Sequence, residues 1–140
     1  MNNLRKNLEP KQIIVVRKDL QMDYGKFGAQ VSHAAMGCLT NLLKKDINNN
    51  IVSYLLECNI DSPMNMWIGD RFTKIIVEAK NEDHLLRIHK KAEEMNINNC
   101  LIQDAAFTVF DAPTYTCLGL GPEFPDIINP LTKRLRLYKG

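Results

Sequence analysis

The chain has 140 residues, 45% of them hydrophobic and 24% charged, a length that suits one domain able to bury its own core. No apolar run reaches the ~20 residues of a bilayer-spanning helix, and residues 1–10, read as a flexible lead-in, lack the apolar centre of a signal peptide, so a cytoplasmic protein without a membrane anchor is expected. A net charge of +2 excludes a strongly basic composition, although Lys11, Arg17, Lys18 and Lys26 cluster near the start and Lys133, Arg134, Arg136 and Lys139 near the end.

Ile13-Ile14-Val15-Val16 is a continuous apolar, β-branched run, the mark of a strand covered on both faces, and predicts a first strand over Lys11 to Arg17. From Gly25 to about Lys45 the period turns helical, with Ala34, Cys38 and Leu42 at four-residue spacing. The small residues Gly28, Ala29, Ser32, Ala34, Ala35 and Gly37 let that helix approach its neighbour closely. Asp46 to Asn50 is a polar break, and Ile51 to about Asn59 reads as a short second helix. Asp61-Ser62-Pro63 stops it, and Met64 to Arg71 reads as an irregular or partly helical connection with Trp67 as a core anchor.

Thr73 to Ala79 is the second strand. Asn81, followed by Glu82 and Asp83, caps a helix that runs to about Asn96 on the apolar stripe Leu85, Ile88, Ala92 and Met95, with His84 and His89 on the solvated side. Cys100 to Gln103 is a third strand that delivers Asp104 near its end. After a loop from Ala105 to Pro113, Thr114 to Gly121 is a fourth strand, which Pro122 ends. Pro125 to Leu131 reads as a last short helix and Leu135 to Tyr138 as an extended tail. Strands separated by helices, with the last two strands adjacent, predict an α/β fold: a mixed four-stranded sheet covered by helices on both faces.

Residues 11–140 show no repeat or composition shift that would divide them into two domains. Cys38, Cys58, Cys100 and Cys117 stand apart without C-x-x-C or Cys/His pairing, which argues for reduced thiols among apolar neighbours and against a disulfide framework or a zinc site. Neither G-x-x-x-x-G-K-[ST] nor G-x-G-x-x-G is present, so no nucleotide cofactor is indicated.

Lys26 breaks a local rule. A cation in the first turn of a helix opposes the helix dipole at a cost of roughly 0.3–1 kcal/mol, and unpaid local costs tend to mark functional sites. In open α/β sheets, sites lie beyond the carboxyl ends of strands. Asp19 and Lys26 follow the first strand, and Asp104 and Thr108 follow the third; if those strands neighbour each other in parallel, a lysine, a carboxylate and a hydroxyl face one cleft. Such a set suits hydrolysis, with a carboxylate orienting water, a hydroxyl helping to place it and an ammonium stabilising the oxyanion. Gln30 and His33 follow Lys26 along the same helix, His33 read as a histidine packed by the small residues around it.

These residues together resemble the peptidyl-tRNA hydrolases of the second type. The resemblance rests on KQIIVVRKDLQM from Lys11 to Met22, Gly25-Lys26-x-x-Ala29-Gln30-x-x-His33-Ala34-Ala35, Lys74-Ile-Ile-Val, Asp104-Ala105-x-x-Thr108, TYTCLGLGP from Thr114 to Pro122, and a closing Ile-x-x-Leu-Thr-x-x-Leu-x-Leu. It implies a three-layer α/β/α sandwich with a mixed four-stranded sheet, often a homodimer, that hydrolyses the ester between peptide and tRNA without a cofactor or metal and so recycles tRNA from aborted translation. Lys26, Asp104 and Thr108 are then the catalytic set, with Gln30, His33 and Lys74 around them as substrate-binding residues and Arg17 and Asp19 holding the first loop. Ala106 stands where the family usually has Gly, Val31 where cysteine is frequent, and the stretch from Asn48 to Phe72 is longer than in compact members. Ala106 and the modest charge leave a second reading, a catalytically impaired relative acting as a tRNA-binding or protein-interaction module.

Overall fold

In a computed structural model, which describes residues 9–104 and 112–140, the apolar run forms β1 (Lys11–Arg17), an interior strand with a partner on each side. Its side chains alternate between two cores, as a strand buried on both faces must: Ile13 and Val15 enter one, Ile14 and Val16 the other. The sheet runs β4 (Lys74–Ala79), β1, β6 (Thr114–Glu123), β5 (Asn99–Asp104). β4 is parallel to β1, while β6 is antiparallel to both β1 and β5, so the sheet is mixed as expected.

One face is covered by α1 (Tyr24–Thr40), which packs across β1, β5 and β6. The other is covered by α3 (Glu82–Glu94) and α4 (Pro125–Thr132), with Leu85, Ile88, Ala92 and Ile128 joining Ile13, Val15, Leu118 and Leu120 in one apolar core. Asn81 caps α3 through its side chain, which accepts the His84 N–H, and two acids follow in the first turn. α1 approaches as closely as its small residues allow. A Cβ at Gly119 of β6 would stand 2.6 Å from the Ala34 carbonyl oxygen and 2.8 Å from the Cys38 sulfur, and a Cβ at Gly37 would collide with Cys100. The tail closes the β4 edge: Glu78 N–H bonds the Arg136 carbonyl and Tyr138 N–H the Ile76 carbonyl.

Several expectations are corrected. α1 ends at Thr40, capped at Asn41, and Lys44–Asn48 and Ile51–Leu55 form a two-stranded antiparallel sheet, β2 and β3, where a polar break and a short helix were expected. Asn49 and Asn50 turn the hairpin at φ 50° and 67°, the doubly left-handed geometry of a type I′ turn that asparagine tolerates, and Ile-Val-Ser-Tyr then follows its strand preference. All ten hairpin strand residues are exposed. Pro63–Gly69 is a regular helix, α2, capped by the Ser62 side chain, and Trp67 is buried on it with its indole N–H donating to the Thr73 carbonyl at 2.7 Å.

β6 does not stop at Pro122. Gly121 (φ 88°) and Pro122 together oppose Gln12 in a bulge, so the missing proline N–H costs no ladder bond and Glu123 still pairs with Lys11. β1 and β5 run in the same direction, but β6 lies between them. Cys58 is exposed, not packed among apolar neighbours, and His33 is exposed rather than packed. His84 and His89 are half-buried: His84 Nδ1 accepts the Lys80 N–H, and His89 Nδ1 lies 3.1 Å from Asn99 Oδ1. Among the described residues no helix is long and apolar enough to cross a membrane.

Candidate active site

β1 delivers Arg17 to the carboxyl edge of the sheet, where the chain turns through Lys18 and Asp19 into α1. The Arg17 guanidinium grips Asp19 with two bonds, Nε to Oδ1 at 3.1 Å and a second nitrogen to Oδ2 at 2.7 Å, and donates to the Tyr115 carbonyl at 3.0 Å. A planar fork held at three points ties the turn to β6. Asp23 then caps α1: its side chain accepts the Lys26 N–H at 2.9 Å, and its carbonyl accepts the Phe27 N–H. That acid at the cap offsets the unfavourable lysine in the first turn.

The Lys26 ammonium crosses to β5 and meets Asp104 Oδ1 at 2.6 Å, with the two side chains 10% and 11% exposed. Two charges so far withdrawn from water hold each other, since losing either would strand the other uncompensated. The pair brings together residues 78 positions apart in the chain, on the edge where β1 and β5 both end.

One turn further along α1, Gln30 is buried at 2% exposure. Its side-chain oxygen accepts from the Thr116 hydroxyl at 2.5 Å and its carbonyl from the Cys117 thiol at 3.1 Å. Gln30 therefore locks the helix to β6 directly behind the pair. His33 is on the exposed side of α1. Lys74 is not brought to this edge. It begins β4 opposite Gln12, about 16 Å of strand from Arg17, where its ammonium sits 3.3 Å from the Phe72 ring centre and donates to the Phe72 carbonyl. Partial burial pushes its pKa down. Thr108 and Ala106 lie outside the described residues. The sequence reading overlooked Asp23, although an Asp three positions before Lys26 has capping spacing, and Thr116, which carries no local signal.

The fold and this site define a class: an α/β sandwich with a carboxylate and a fixed cation at the carboxyl edge of its sheet, the equipment of a hydrolase. Within that class the chain belongs to the peptidyl-tRNA hydrolase PTH2 family, whose model matches residues 10–138. It is 36% identical over 127 residues to a peptidyl-tRNA hydrolase of Saccharolobus islandicus, covering 91% of this chain and 98% of that protein. Peptidyl-tRNA hydrolases of Thermoplasma volcanium and Thermoplasma acidophilum are each 34% identical over the same length, covering 91% of this chain and 97% of theirs.

Proposed function

We propose that this protein hydrolyses the ester bond joining peptide to tRNA, with Asp104 orienting the attacking water and accepting its proton while the Lys26 ammonium stabilises the tetrahedral oxyanion. The observation that supports this reading is the Lys26–Asp104 contact at 2.6 Å, an ammonium beside a carboxylate at the sheet edge. Thr108 serves as the hydroxyl partner of the water. Arg17 and Asp19 hold the turn before α1, and Gln30 positions Lys26 through the helix. His33 and Lys74 contact the tRNA outside the reacting centre.

The enzyme releases tRNA stalled in aborted translation, a form of ribosome rescue, in the cytoplasm, and acts as a homodimer. What supports self-association is the apolar side of the β2–β3 hairpin, where Ile47, Val52 and Tyr54 are open to solvent.

Incubating the protein with N-acyl-aminoacyl-tRNA and following deacylated tRNA tests the activity. Lys26→Ala and Asp104→Asn, checked for folding by circular dichroism, are each expected to lower kcat by about 10²-fold or more. No release above spontaneous hydrolysis by the parent protein would end the enzyme reading. Undiminished turnover in both folded variants would end the site assignment.

A further inference from the structure

Behind the net charge of +2 lies an uneven distribution. A groove of about 800 Å³ between α3 and α4, on the sheet face opposite α1, is lined by Arg87, Lys90, Lys91, Lys133 and Arg134, with Glu94 its one carboxylate among the described residues. It shares His84, Arg134 and Leu135 with a second depression of about 400 Å³ at the β4 edge, to which Lys18, Lys80 and Arg136 add their charges. The second shares Lys18 with a third, about 550 Å³, at the start of α1, where Lys139 stands beside the stacked rings of Phe27 and Tyr138 and the 96%-exposed ring of Tyr24. Phe27 is the residue after Lys26.

Nine of the chain's 18 lysines and arginines line this band, all exposed, against two carboxylates, Glu78 and Glu94. Among the described residues Lys18 alone of the nine is in an ion pair, with Glu78 at 3.6 Å. The positive field registers on His84, whose pKa is lowered by burial and then by Arg87 and Lys80. Arg87 and Lys91 repel each other one turn apart on α3, and among the described residues no ion pair offsets it. A polyanion does, by neutralisation and counterion release.

We infer that this band binds the phosphate backbone of an RNA strand that runs from the α3–α4 groove around the β4 edge and delivers its 3′ end to Lys26 and Asp104, the aromatic depression stacking the terminal base. The identity of the RNA as the tRNA arm of the substrate rests on the function proposed above. The occupant has to be long as well as anionic, since α3 alone spans about 20 Å. It also has to carry flat groups for the rings of Tyr24 and Phe27, which nucleotides supply.

The test is a quadruple variant, R87Q/K91Q/K133Q/R134Q, none of whose positions touches Lys26 or Asp104, with folding confirmed by its melting temperature. Affinity for deacylated tRNA, plotted as log Kd against log salt, is expected to lose about one unit of slope for each phosphate contact removed. KM for N-acyl-aminoacyl-tRNA should rise tenfold or more without loss of kcat. KM for an N-acyl-aminoacyl ester of adenosine alone should not change. An unchanged salt slope overturns the inference. So does a KM increase that extends to the adenosine ester, which would mark a distorted site. Loss of binding to anionic lipid vesicles with tRNA affinity intact overturns it in favour of a membrane surface. If the parent protein binds tRNA with this slope dependence yet hydrolyses nothing, the catalytic reading falls and the band stands.

Discussion

The two faces of the central sheet are built on different terms. Under α3 and α4 the contact is apolar, with Leu85, Ile88, Val77, Leu118 and Leu120 meeting in one core. Under α1 the buried apolar set is smaller, with Ile14, Val16, Ala34, Cys38 and Cys117, and polar groups thread it. Gln12 donates to the Ala35 carbonyl at 3.1 Å, its oxygen buried without a partner among the described residues, and Gln30 is bonded to Thr116. The first face supplies burial free energy, which is non-directional. The second fixes one helix at one depth and rotation, because directional bonds and a backbone-to-helix approach at Gly119 admit no sliding. The helix so fixed carries Lys26, and a lysine that must meet Asp104 at 2.6 Å needs that registry more than it needs area.

The largest stability effect is expected on the face that does less positioning. Leu85→Ala, at a fully buried position, should lower unfolding free energy by about 2–5 kcal/mol in urea titration. Below the melting range it should leave kcat on N-acyl-aminoacyl-tRNA within about twofold. A loss of kcat in proportion to the lost stability would mean that the two faces are mechanically coupled and the contrast is false.

Gly119→Ala is expected to cost less stability and more function. The added methyl would meet the Ala34 carbonyl, which is helix backbone and cannot rotate away, so α1 must shift bodily. Overpacking of this kind costs about 1–3 kcal/mol. Displacing Lys26 by even a fraction of an ångström should lower kcat about tenfold or more, and a misplacement of 1 Å is worth up to about 10². Full activity in the folded variant would show that Lys26 reaches Asp104 by side-chain flexibility and not by helix placement.

The same contrast governs what could be read from the sequence. The back face was legible because burial leaves periodic traces: the stripe Leu85, Ile88, Ala92 on α3 and the unbroken run of β1 each follow from hydrophobic spacing. The closeness of α1 was legible from its small residues, and Lys26 from the dipole it opposes. Less visible were features made by single atoms. Thr116 and Gln30 are partners across 86 residues, and no spacing rule links them. The hairpin leaves no such trace, because Ile51 to Leu55 is short and exposed throughout, and its decisive signal lies in the conformations of Asn49 and Asn50. Lys74 opens its strand, ahead of Ile75-Ile76-Val77, whereas Asp104 closes one, and only the topology, with β1, β4 and β5 all running the same way, puts the two at opposite ends of the sheet.

The smallest expected effect isolates the α1 face chemically. Burial pushes the thiols of Cys38 and Cys117 up to about 12 from an ordinary value near 9, with the charges of neighbouring cysteines adding to it and side-chain hydrogen bonds from Gln12 and Thr116 opposing it. Both groups are therefore held neutral in the fold, whereas the unfolded chain ionises them near pH 9. Their contribution is fully present below about pH 9 and is lost as pH rises through about 12, because deprotonation then favours the unfolded state. At pH 10.5 each thiol should cost on the order of 1–2 kcal/mol relative to pH 8. Lysines titrate in the same range, so the measurement is a difference: urea midpoints at pH 8 and pH 10.5 for the parent protein and for Cys38→Ala/Cys117→Ala, the latter expected to lose less stability between the two pH values. Exposed Cys58 provides the internal contrast, since it should react with a maleimide in the native protein at pH 7 while Cys38 and Cys117 wait for unfolding. Equal pH sensitivity of parent and variant, together with rapid labelling of Cys117, would mean that α1 lifts from the sheet readily, and the positioning role assigned to that face would be lost with it.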